Sequence, residues 1–406
     1  MSKRSKHRIA IIGAGLAGLS AAYHFRSKAD VTLFEREDRI GGRILTSKNP
    51  PGEHGAEFLL SSEKELHRLI HKLGIEPLPC DREWPGYLFN DKVVQGKPEQ
   101  VVEELLPPKS ACCAAKLFQL VRREQWPKTT RNFDQWLSSC LAGDKHAIRF
   151  VRMLLAGETC APFHHLSTQD GLDCLWSVLK DEWYQVDGGS EKLVIALVQQ
   201  SEANLRMGAH VSGIDAVREG MQVRWVEGGD RKAEKFYAVI IATPDGERLA
   251  GKPLRGHFHG YVNVLLAYRD QPRVKGAPDF DLVNGLYTDG PLNYIQLADR
   301  ARSPYGLRIL IPNAGRMLRW EESDVVAFCV EHLKPIIINA DQLCASSVKA
   351  WKFGLPCGGN NRSFQKVGSR VYLAGDRFGR WPSMDAAVMS GKSAANTALE
   401  QLKRHG

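Results

Sequence analysis

The feature that most constrains this 406-residue chain is a glycine-rich turn close to its N-terminus. Residues 8–12 are apolar and predict a short buried strand, and residues 16–25 predict a helix. The turn between them consists of Gly13, Ala14, Gly15, Leu16, Ala17 and Gly18. Its first glycine permits the bend, the second lets a pyrophosphate approach the backbone, and the third lets the helix pack on the strand. The pattern predicts a dinucleotide-binding unit with phosphate at the helix N-terminus.

A second strand and an acidic residue follow at the spacing that such a unit requires. The apolar residues 31–34 end in Glu35, about twenty residues after the central glycines, and Arg36 comes next. An acid at this point bonds ribose hydroxyls and disfavours a 2′-phosphate. A glycine turn without a ligand is the alternative, and the spacing of the acid argues against it.

The basic charge of the chain does not indicate nucleic-acid binding. The formal net charge is +9, but lysines and arginines are spread along the whole sequence, and the only dense basic run lies within residues 3–8. Nucleic-acid-binding proteins concentrate such charge on one element and interleave it with aromatic residues. We therefore interpret residues 3–8 as a solvated tail and expect no nucleic-acid partner.

Neither a membrane span nor a metal or disulfide framework is indicated. No apolar run reaches the roughly 18 residues that would cross a bilayer. Nine cysteines at irregular spacing fit neither a disulfide scaffold nor a zinc site, so we expect reduced thiols and a cytoplasmic protein. His164-His165 and His257-x-His259 lack a partner at ligand spacing, so we expect no metal.

The loop after the acid carries a family resemblance. Two glycines, Gly41 and Gly42, precede Arg43, and with the preceding turn they resemble the flavin amine oxidase superfamily. That superfamily includes monoamine and polyamine oxidases, protoporphyrinogen oxidases and carotenoid desaturases. The resemblance implies FAD as the cofactor, with this loop at its pyrophosphate. Glycines allow close backbone approach, and an arginine offers fork-shaped donors to phosphate.

Three further segments extend the resemblance along the chain. The segment that the family places beside the isoalloxazine ring corresponds to His54 and the four residues that follow it, Gly55, Ala56, Glu57 and Phe58. Val211 lies in an extended stretch that the family uses to contact adenine through its backbone. Residues 238–244 form an apolar strand ending in Ala-Thr-Pro, which implies a cofactor contact at Thr243.

A C-terminal motif completes the implied FAD site. A short apolar strand over residues 371–374 ends in Gly375-Asp376, where a carboxylate can accept bonds from ribityl hydroxyls. A helix rich in small residues follows, with Ser383, Met384 and Ala387 in its first turns. Its N-terminus would direct backbone amides at the region of the flavin where negative charge gathers on reduction.

These segments imply an α/β fold in which a Rossmann-like FAD-binding domain of glutathione reductase-2 type is interleaved with an α+β substrate domain. The FAD-binding domain is expected to comprise residues 1–77, 187–250 and 351–406. The substrate domain, with helices and a mixed sheet, is expected to comprise residues 78–186 and 251–350. Strand-like stretches at 260–268 and 305–312 and an amphipathic helix at 323–333 belong to it.

The sequence leaves the substrate open. Asn263 occupies the position where the monoamine oxidase branch carries a lysine near flavin N5, and Trp351 and Ser383 are candidates for the substrate pocket. Oxidation of an amine or amino acid, with oxygen as acceptor, is the first hypothesis. Dehydrogenation of a carbon–carbon bond in a polyene, squalene-like lipid or porphyrinogen is the second, and a flavin-binding protein without turnover is the third. Another electron acceptor, peripheral membrane contact and the oligomeric state also stay open.

Overall fold

The computed structural model describes residues 7–80, 83–252, 257–298, 303–357, 364–379 and 381–405. Its strands are β1 (Arg8–Ile12), β2 (Asp30–Phe34), β3 (Thr46–Lys48), β4 (Pro51–Glu53), β5 (Leu59–Leu60), β6 (Pro77–Pro79), β7 (Gly86–Phe89), β8 (Lys92–Gln95), β9 (Trp183–Val186), β10 (Asn204–Arg206), β11 (His210–Val217), β12 (Gly220–Glu227), β13 (Asp230–Phe236), β14 (Ala238–Ile241), β15 (His257–Tyr268), β16 (Leu286–Thr288), β17 (Tyr294–Leu297), β18 (Tyr305–Ile311), β19 (Leu343–Cys357), β20 (Gln365–Val367) and β21 (Val371–Leu373). Its α-helices are α1 (Leu16–Phe25), α2 (Lys64–Lys72), α3 (Pro98–Leu105), α4 (Pro108–Arg122), α5 (Phe133–Cys140), α6 (Lys145–Thr159), α7 (Thr168–Lys180), α8 (Glu191–Ser201), α9 (Gly246–Leu249), α10 (Glu322–Leu333) and α11 (Met384–His405). Three 3-10 helices span Phe163–His165, Leu282–Asn284 and Gly315–Arg319.

The first of the two large sheets has six strands, in the order β10-β2-β1-β14-β21-β20. All of its neighbouring strands run parallel except β20, which is antiparallel to β21. Strands β1, β2 and β14 are almost entirely apolar and buried, as expected for strands covered on both faces. Helices α1, α8 and α11 pack together in the core on one face, and the antiparallel sheet β11-β12-β13 covers the other.

The second large sheet is mixed and has seven strands, in the order β19-β15-β18-β17-β16-β7-β8. Strands β16 and β7 are parallel, and the other neighbours are antiparallel. Because side chains alternate between faces, Val262 and Val264 pack in the core that includes α10, whereas Tyr261 joins the core formed with α3 to α7. The predicted α/β fold with a mixed second sheet is confirmed.

One predicted helix start differs from the observed one. Apolar residues at helical spacing over residues 61–73 predict a helix that starts at Ser61, but α2 begins at Lys64. The hydroxyls of Ser61 and Ser62 bond the carboxylate of Asp181 and hold these residues outside the helix. The domain boundary at residue 351 stays a prediction, and that residue lies within β19, which pairs with β15 along most of its length.

The described residues contain neither a membrane-spanning helix nor a cluster of metal ligands. Within them, no helix is both long and apolar enough to cross a membrane. The same residues contain no group of three or more histidine, cysteine or acidic side chains arranged to hold a metal ion. Eight cysteines are free thiols, namely Cys112, Cys113, Cys140, Cys160, Cys174, Cys329, Cys344 and Cys357.

Candidate functional site

The glycine turn brings a helix N-terminus against the edge of the parallel sheet. Gly13 has a φ of +101°, and a Cβ atom there would lie 2.9 Å from the carbonyl oxygen of Ala242 at the end of β14. A Cβ atom on Gly18 would collide with the carbonyl oxygen of Gly13. No side chain caps α1, and its first turn contains no acidic residue. The amides at the start of α1 are therefore suited to bind an anion.

Glu35 ties the end of β2 to this turn. Its Oε2 accepts a hydrogen bond of 2.8 Å from the backbone N–H of Ala14, and its Oε1 accepts one of 2.9 Å from Glu37. The carboxylate thus lies beside the turn, as a ribose-binding acid must. Arg36 is exposed immediately after it.

The Gly41–Arg43 loop crosses directly over the turn. Gly41 forms a parallel bridge with Gly15, and its N–H donates a 2.9 Å hydrogen bond to the carbonyl of Ala14. Gly42 has a φ of +57°, and a Cβ atom on it would lie 3.2 Å from Cα of Gly15. Two glycine-rich segments therefore approach each other closely enough to present backbone, rather than side chains, to one ligand.

Arg43 and Asp376, predicted as separate cofactor contacts, form one bidentate ion pair. Arg43 Nη2 lies 2.7 Å from Oδ1 of Asp376, and Nη1 lies 2.8 Å from Oδ2. Arg43 also donates to the carbonyl of Gly354 in β19. Burial lowers the pKa of Arg43 and the Asp376 carboxylate raises it, and the net effect is upward. The pair places a permanently charged donor at the junction of the two sheets.

An unpaired polar atom and a glycine without close neighbours, next to these groups, fit FAD. The buried Oγ1 of Thr243, which follows β14, has no hydrogen-bond partner among the described residues. Gly375 has a φ of +152°, and no atom lies within 4 Å of the position that a Cβ atom would take. Backbone amides, a guanidinium and an unpaired hydroxyl are thus available near the glycine turn, and they fit the phosphates and hydroxyls of a dinucleotide.

The segment expected beside the flavin ring packs on the Gly41–Arg43 loop. Gly55 has no room for a side chain because it abuts the carbonyl of Arg43, and the N–H of Ala56 donates to that same oxygen over 3.0 Å. The carboxylate of Glu57 forms a buried ion pair with Arg308 of β18. Arg308 also lies 5.8 Å from the ring centre of Phe58. The side chain of Glu57 therefore anchors this segment to the second sheet.

The start of α11 is bonded to α2. Ser383 Oγ accepts a 3.1 Å hydrogen bond from Ala386 N, and Glu63 Oε1 accepts one of 3.2 Å from Asp385 N. Asp385 Oδ1 in turn accepts a 2.7 Å hydrogen bond from Leu66 N. Burial raises the pKa of Glu63 to about 7. Ser383 therefore acts as a helix cap.

Three other predicted cofactor residues, in α11 and β11, are buried or half-buried. Met384 is half-buried at the first position of α11, and Ala387 is buried one turn later. Val211 is buried in β11 opposite Trp225. Roles for these residues at the cofactor stay predictions.

Trp351 lies in β19 against the backbone of the flavin-ring segment. Its Nε1 donates a 2.6 Å hydrogen bond to the carbonyl of His54, and Nζ of Lys349 lies 5.1 Å from its ring centre. The His54 ring is 2.9 Å from Oγ of Ser347 through Nε2. Burial and, to a lesser degree, Lys349 lower the pKa of His54 to about 4, so this histidine is neutral.

Asn263 is completely buried in the middle of β15. Neither Oδ1 nor Nδ2 of its amide has a hydrogen-bond partner within the described ranges. Its neighbours in the sheet are Leu310 of β18 and Lys349 of β19. An unpaired amide at this depth is costly, so a group that bonds it is expected in the working enzyme.

A carboxylate that the sequence analysis missed lies between α6 and the second sheet. Glu158, in the last turn of α6, accepts a 3.2 Å hydrogen bond at Oε1 from the hydroxyl of Tyr287. The ring of Tyr287 is 5.6 Å from Tyr87 and 4.9 Å from Tyr294, measured between centres. Burial raises the pKa of Glu158 to about 7, although the hydrogen bond from Tyr287 opposes that shift.

Part of Glu158 nevertheless remains accessible. The residue is half-buried, although Tyr287 and Tyr294 beside it are buried. We call Glu158, Tyr287 and Tyr294 the tyrosine cluster.

Tyr261 lies between the tyrosine cluster and the predicted FAD contacts. Its ring centre lies 6.4 Å from that of Trp351. Burial raises the pKa of its hydroxyl, on which Cys160, Arg43 and Asp376 also act electrostatically. Burial raises the pKa of the Cys160 thiol, and the carboxylate of Glu158 raises it further. Electrostatic interactions therefore link Glu158 to the predicted cofactor contacts through Cys160 and Tyr261.

Comparison with known proteins identifies the family. Residues 16–399 match the family described as flavin containing amine oxidoreductase. Prenylcysteine oxidase 1 of Mus musculus is 37% identical over 361 residues, which cover 75% of this chain and 67% of that protein. AofH of Mycobacterium tuberculosis, provisionally named a flavin-containing monoamine oxidase, is 36% identical over 287 residues. That match covers 60% of this chain and 58% of AofH, which is less than two thirds of its length.

Solved structures share the fold over nearly the whole chain. Putrescine oxidase, solved with bound putrescine, superposes with a TM-score of 0.73 at 16% identity, covering 97% of this chain and 99% of that one. Cyclohexylamine oxidase from Brevibacterium oxydans IH-35A gives 0.72 at 17% identity, covering 98% and 100%. The predicted resemblance and the predicted FAD cofactor are confirmed. The chain belongs to the flavin-containing amine oxidoreductase family.

Proposed function

We propose that this enzyme oxidises an amine by removing a hydride from the carbon next to nitrogen. The observation that carries the proposal is the carboxylate of Glu158 bonded to Tyr287, whose ring belongs to the same core as Tyr261 and Trp351. Aromatic faces and a carboxylate together attract a cation. Amines are cationic at neutral pH.

The rival substrates fit the tyrosine cluster less well. A porphyrinogen carries carboxylates, which Glu158 would repel, and a polyene would leave Glu158 buried against hydrocarbon without a compensating partner. Among the similar proteins, a monoamine oxidase, putrescine oxidase and cyclohexylamine oxidase have names that agree with an amine, whereas prenylcysteine oxidase 1 does not.

The FAD contacts have separate roles in this proposal. Glu35 bonds the ribose, the Gly41–Arg43 loop and the start of α1 bind the pyrophosphate, and Asp376 bonds the ribityl chain. When bound, FAD supplies an acceptor for the hydride, and oxygen then takes up the two electrons to give hydrogen peroxide. Tyr261 and Trp351 form the wall that keeps water from the reacting carbon.

Product analysis in air tests this function. The holoenzyme is incubated with primary and secondary amines, with an amino acid, with a porphyrinogen and with a polyene, and peroxide and the carbonyl product of imine hydrolysis are measured. We expect equal amounts of peroxide and carbonyl product from at least one amine. Consumption of the porphyrinogen or the polyene, with no amine turned over, would refute the proposal.

A further inference from the structure

Amine oxidation sets a requirement that the cofactor alone does not meet. Hydride loss from carbon is assisted by the nitrogen lone pair, which is absent while the nitrogen is protonated. An alkyl amine resembles the lysine side chain, with a pKa of about 10.4, so at neutral pH nearly all of it is the ammonium form. A group near the reacting carbon must therefore remove one proton.

No lysine or arginine among the described residues is paired with Glu158, which is a half-buried acid. Glu57, Asp376 and Glu247 are each paired with an arginine. For Glu158, by contrast, only burial and the hydrogen bond from Tyr287 shift the pKa among the described residues. Its Oε2 receives no hydrogen bond from any residue in the described ranges. One oxygen is thus held in place, and the other is free for a ligand.

The other titratable groups around Glu158 are uncharged at neutral pH. Burial raises the pKa of each of them above its usual value. They come from β7, β16, α7 and the end of α6, and are Tyr87, Tyr287, Cys174 and Cys160. Tyr294 of β17 faces the same rings. Glu158 is therefore the one group of this set that changes charge near neutral pH.

We propose that Glu158 is the catalytic base that deprotonates the substrate ammonium, an inference that rests on the proposed amine oxidation. An N–H bond of the ammonium breaks, its proton forms an O–H bond with the Glu158 carboxylate, and the electron pair stays on nitrogen. That pair then forms the C=N bond as the hydride leaves the adjacent carbon for the bound FAD. Hydrolysis of the iminium and reoxidation by oxygen complete the balance.

Burial makes this transfer feasible. In water an ammonium would hold its proton against a carboxylate, but a low-dielectric cavity disfavours both charged forms. The pKa of Glu158 is already raised to about 7, so the carboxylate is ionised above that pH and still basic enough to take a proton. Below pH 7 it is protonated, and the reaction should slow.

The pH dependence of anaerobic flavin reduction tests the role of Glu158. In the parent, the second-order rate constant should rise to a plateau above about pH 7. In Glu158→Gln only the neutral amine can react, which at pH 8 is about one molecule in 250. We expect a loss of about 100-fold at that pH, which shrinks tenfold for each further pH unit. Glu158→Asp should recover part of the rate, and Glu103→Gln, an exposed acid on α3, should match the parent.

Infrared difference spectroscopy supplies a readout independent of turnover. The probe is 2-phenylpropan-2-amine, which has no hydrogen on the carbon next to nitrogen and cannot be oxidised there. At pH 8 its binding should produce the band of a protonated carboxyl group in the parent and in Glu103→Gln, but not in Glu158→Gln. Absence of that band in the parent, or a parent-like pH profile in Glu158→Gln, would overturn the inference. Failure of every amine to reduce the flavin of the parent at any pH would instead refute the proposed function.

Discussion

Replacing Gly18 by alanine tests how closely the glycine turn must pack to bind FAD. A Cβ atom on Gly18 would lie about 1 Å closer to the carbonyl oxygen of Gly13 than such atoms approach in proteins. That oxygen belongs to the backbone, so it cannot move aside as a side chain can. Overpacking of this kind costs about 1–3 kcal/mol, which would be relieved if α1 moved away from β1. Such a movement displaces the amides that face the pyrophosphate. If FAD binding has to reverse this movement, the affinity for FAD falls by about fivefold to about 150-fold.

The assay is a fluorescence titration of FAD-stripped protein, with thermal unfolding of the same samples. Gly290→Ala is the matched control, because a Cβ atom there would meet only Thr288 Oγ1 at 3.6 Å. The control should bind FAD as the parent does. If Gly18→Ala binds FAD within twofold of the parent and unfolds at the same temperature, the cofactor does not depend on this close approach and the reasoning fails.

Three further changes test the residues around the turn and the helix starts. Asp376→Ala leaves Arg43, whose side chain is 28% exposed, without its ion-pair partner. We expect the free energy of unfolding in urea to fall by about 2–3 kcal/mol and FAD binding to weaken more than tenfold. Unchanged FAD affinity would contradict the assignment of Asp376 to the cofactor site. Thr243→Val removes an unpaired hydroxyl, so the FAD-free variant should be as stable as the parent or up to about 1 kcal/mol more stable. Titration should show FAD affinity reduced about fivefold. Equal affinity would show that Thr243 is not part of the site. The pKa of Glu63 is raised in the folded protein from 4.5 to about 7, so its contribution is most favourable below pH 4.5 and is lost as the pH rises to about 7. Glu63→Gln should therefore gain about 3 kcal/mol relative to the parent between pH 4.5 and pH 8 in unfolding experiments, and a constant difference across that range would contradict the burial effect.

The local part of the cofactor unit could be predicted because its geometry depends on short sequence spacings. A buried strand, a glycine turn, a helix and an acid about twenty residues later leave few alternatives to a parallel pair joined by a crossover helix. The observed pairing of β1 with β2, and the bond from Glu35 to the turn, follow that pattern.

The ion pair between Arg43 and Asp376 could not be predicted in the same way. The two residues are 333 positions apart, and each was interpreted as an independent contact to the cofactor. Their proximity arises because β21 lies two strands from β1 in the six-stranded sheet, which is a property of strand order. No local pattern in the sequence specifies that strand order.

The tyrosine cluster was missed for a related reason. Tyr87, Tyr287 and Tyr294 come from β7, β16 and β17, which become neighbours only in the folded sheet. One signal was available: Glu158 follows the buried Leu154 and Leu155 by four and three positions, so α6 places an acid on its apolar face. A buried acid at such a position marks a candidate functional group.

The histidines show the limit of arguing from ligand spacing. His164-His165 and His257-x-His259 were treated as separate pairs, yet the fold brings Nδ1 of His165 within 3.0 Å of Nε2 of His259. The 3-10 helix after α6 and the start of β15 meet at this point. Their approach depends on how α6 packs on the second sheet, which the spacing of histidines along the chain does not encode.

Anaerobic titration of the purified protein tests the central claim most directly. The holoenzyme should show the visible spectrum of bound flavin, and addition of an amine without oxygen should bleach it fully, with one imine-derived product formed for each flavin. Readmission of oxygen should restore the colour and release one peroxide. A protein that takes up no FAD would contradict the cofactor site. A flavin that is bleached by a polyene or a porphyrinogen but by no amine would contradict the role given to the tyrosine cluster.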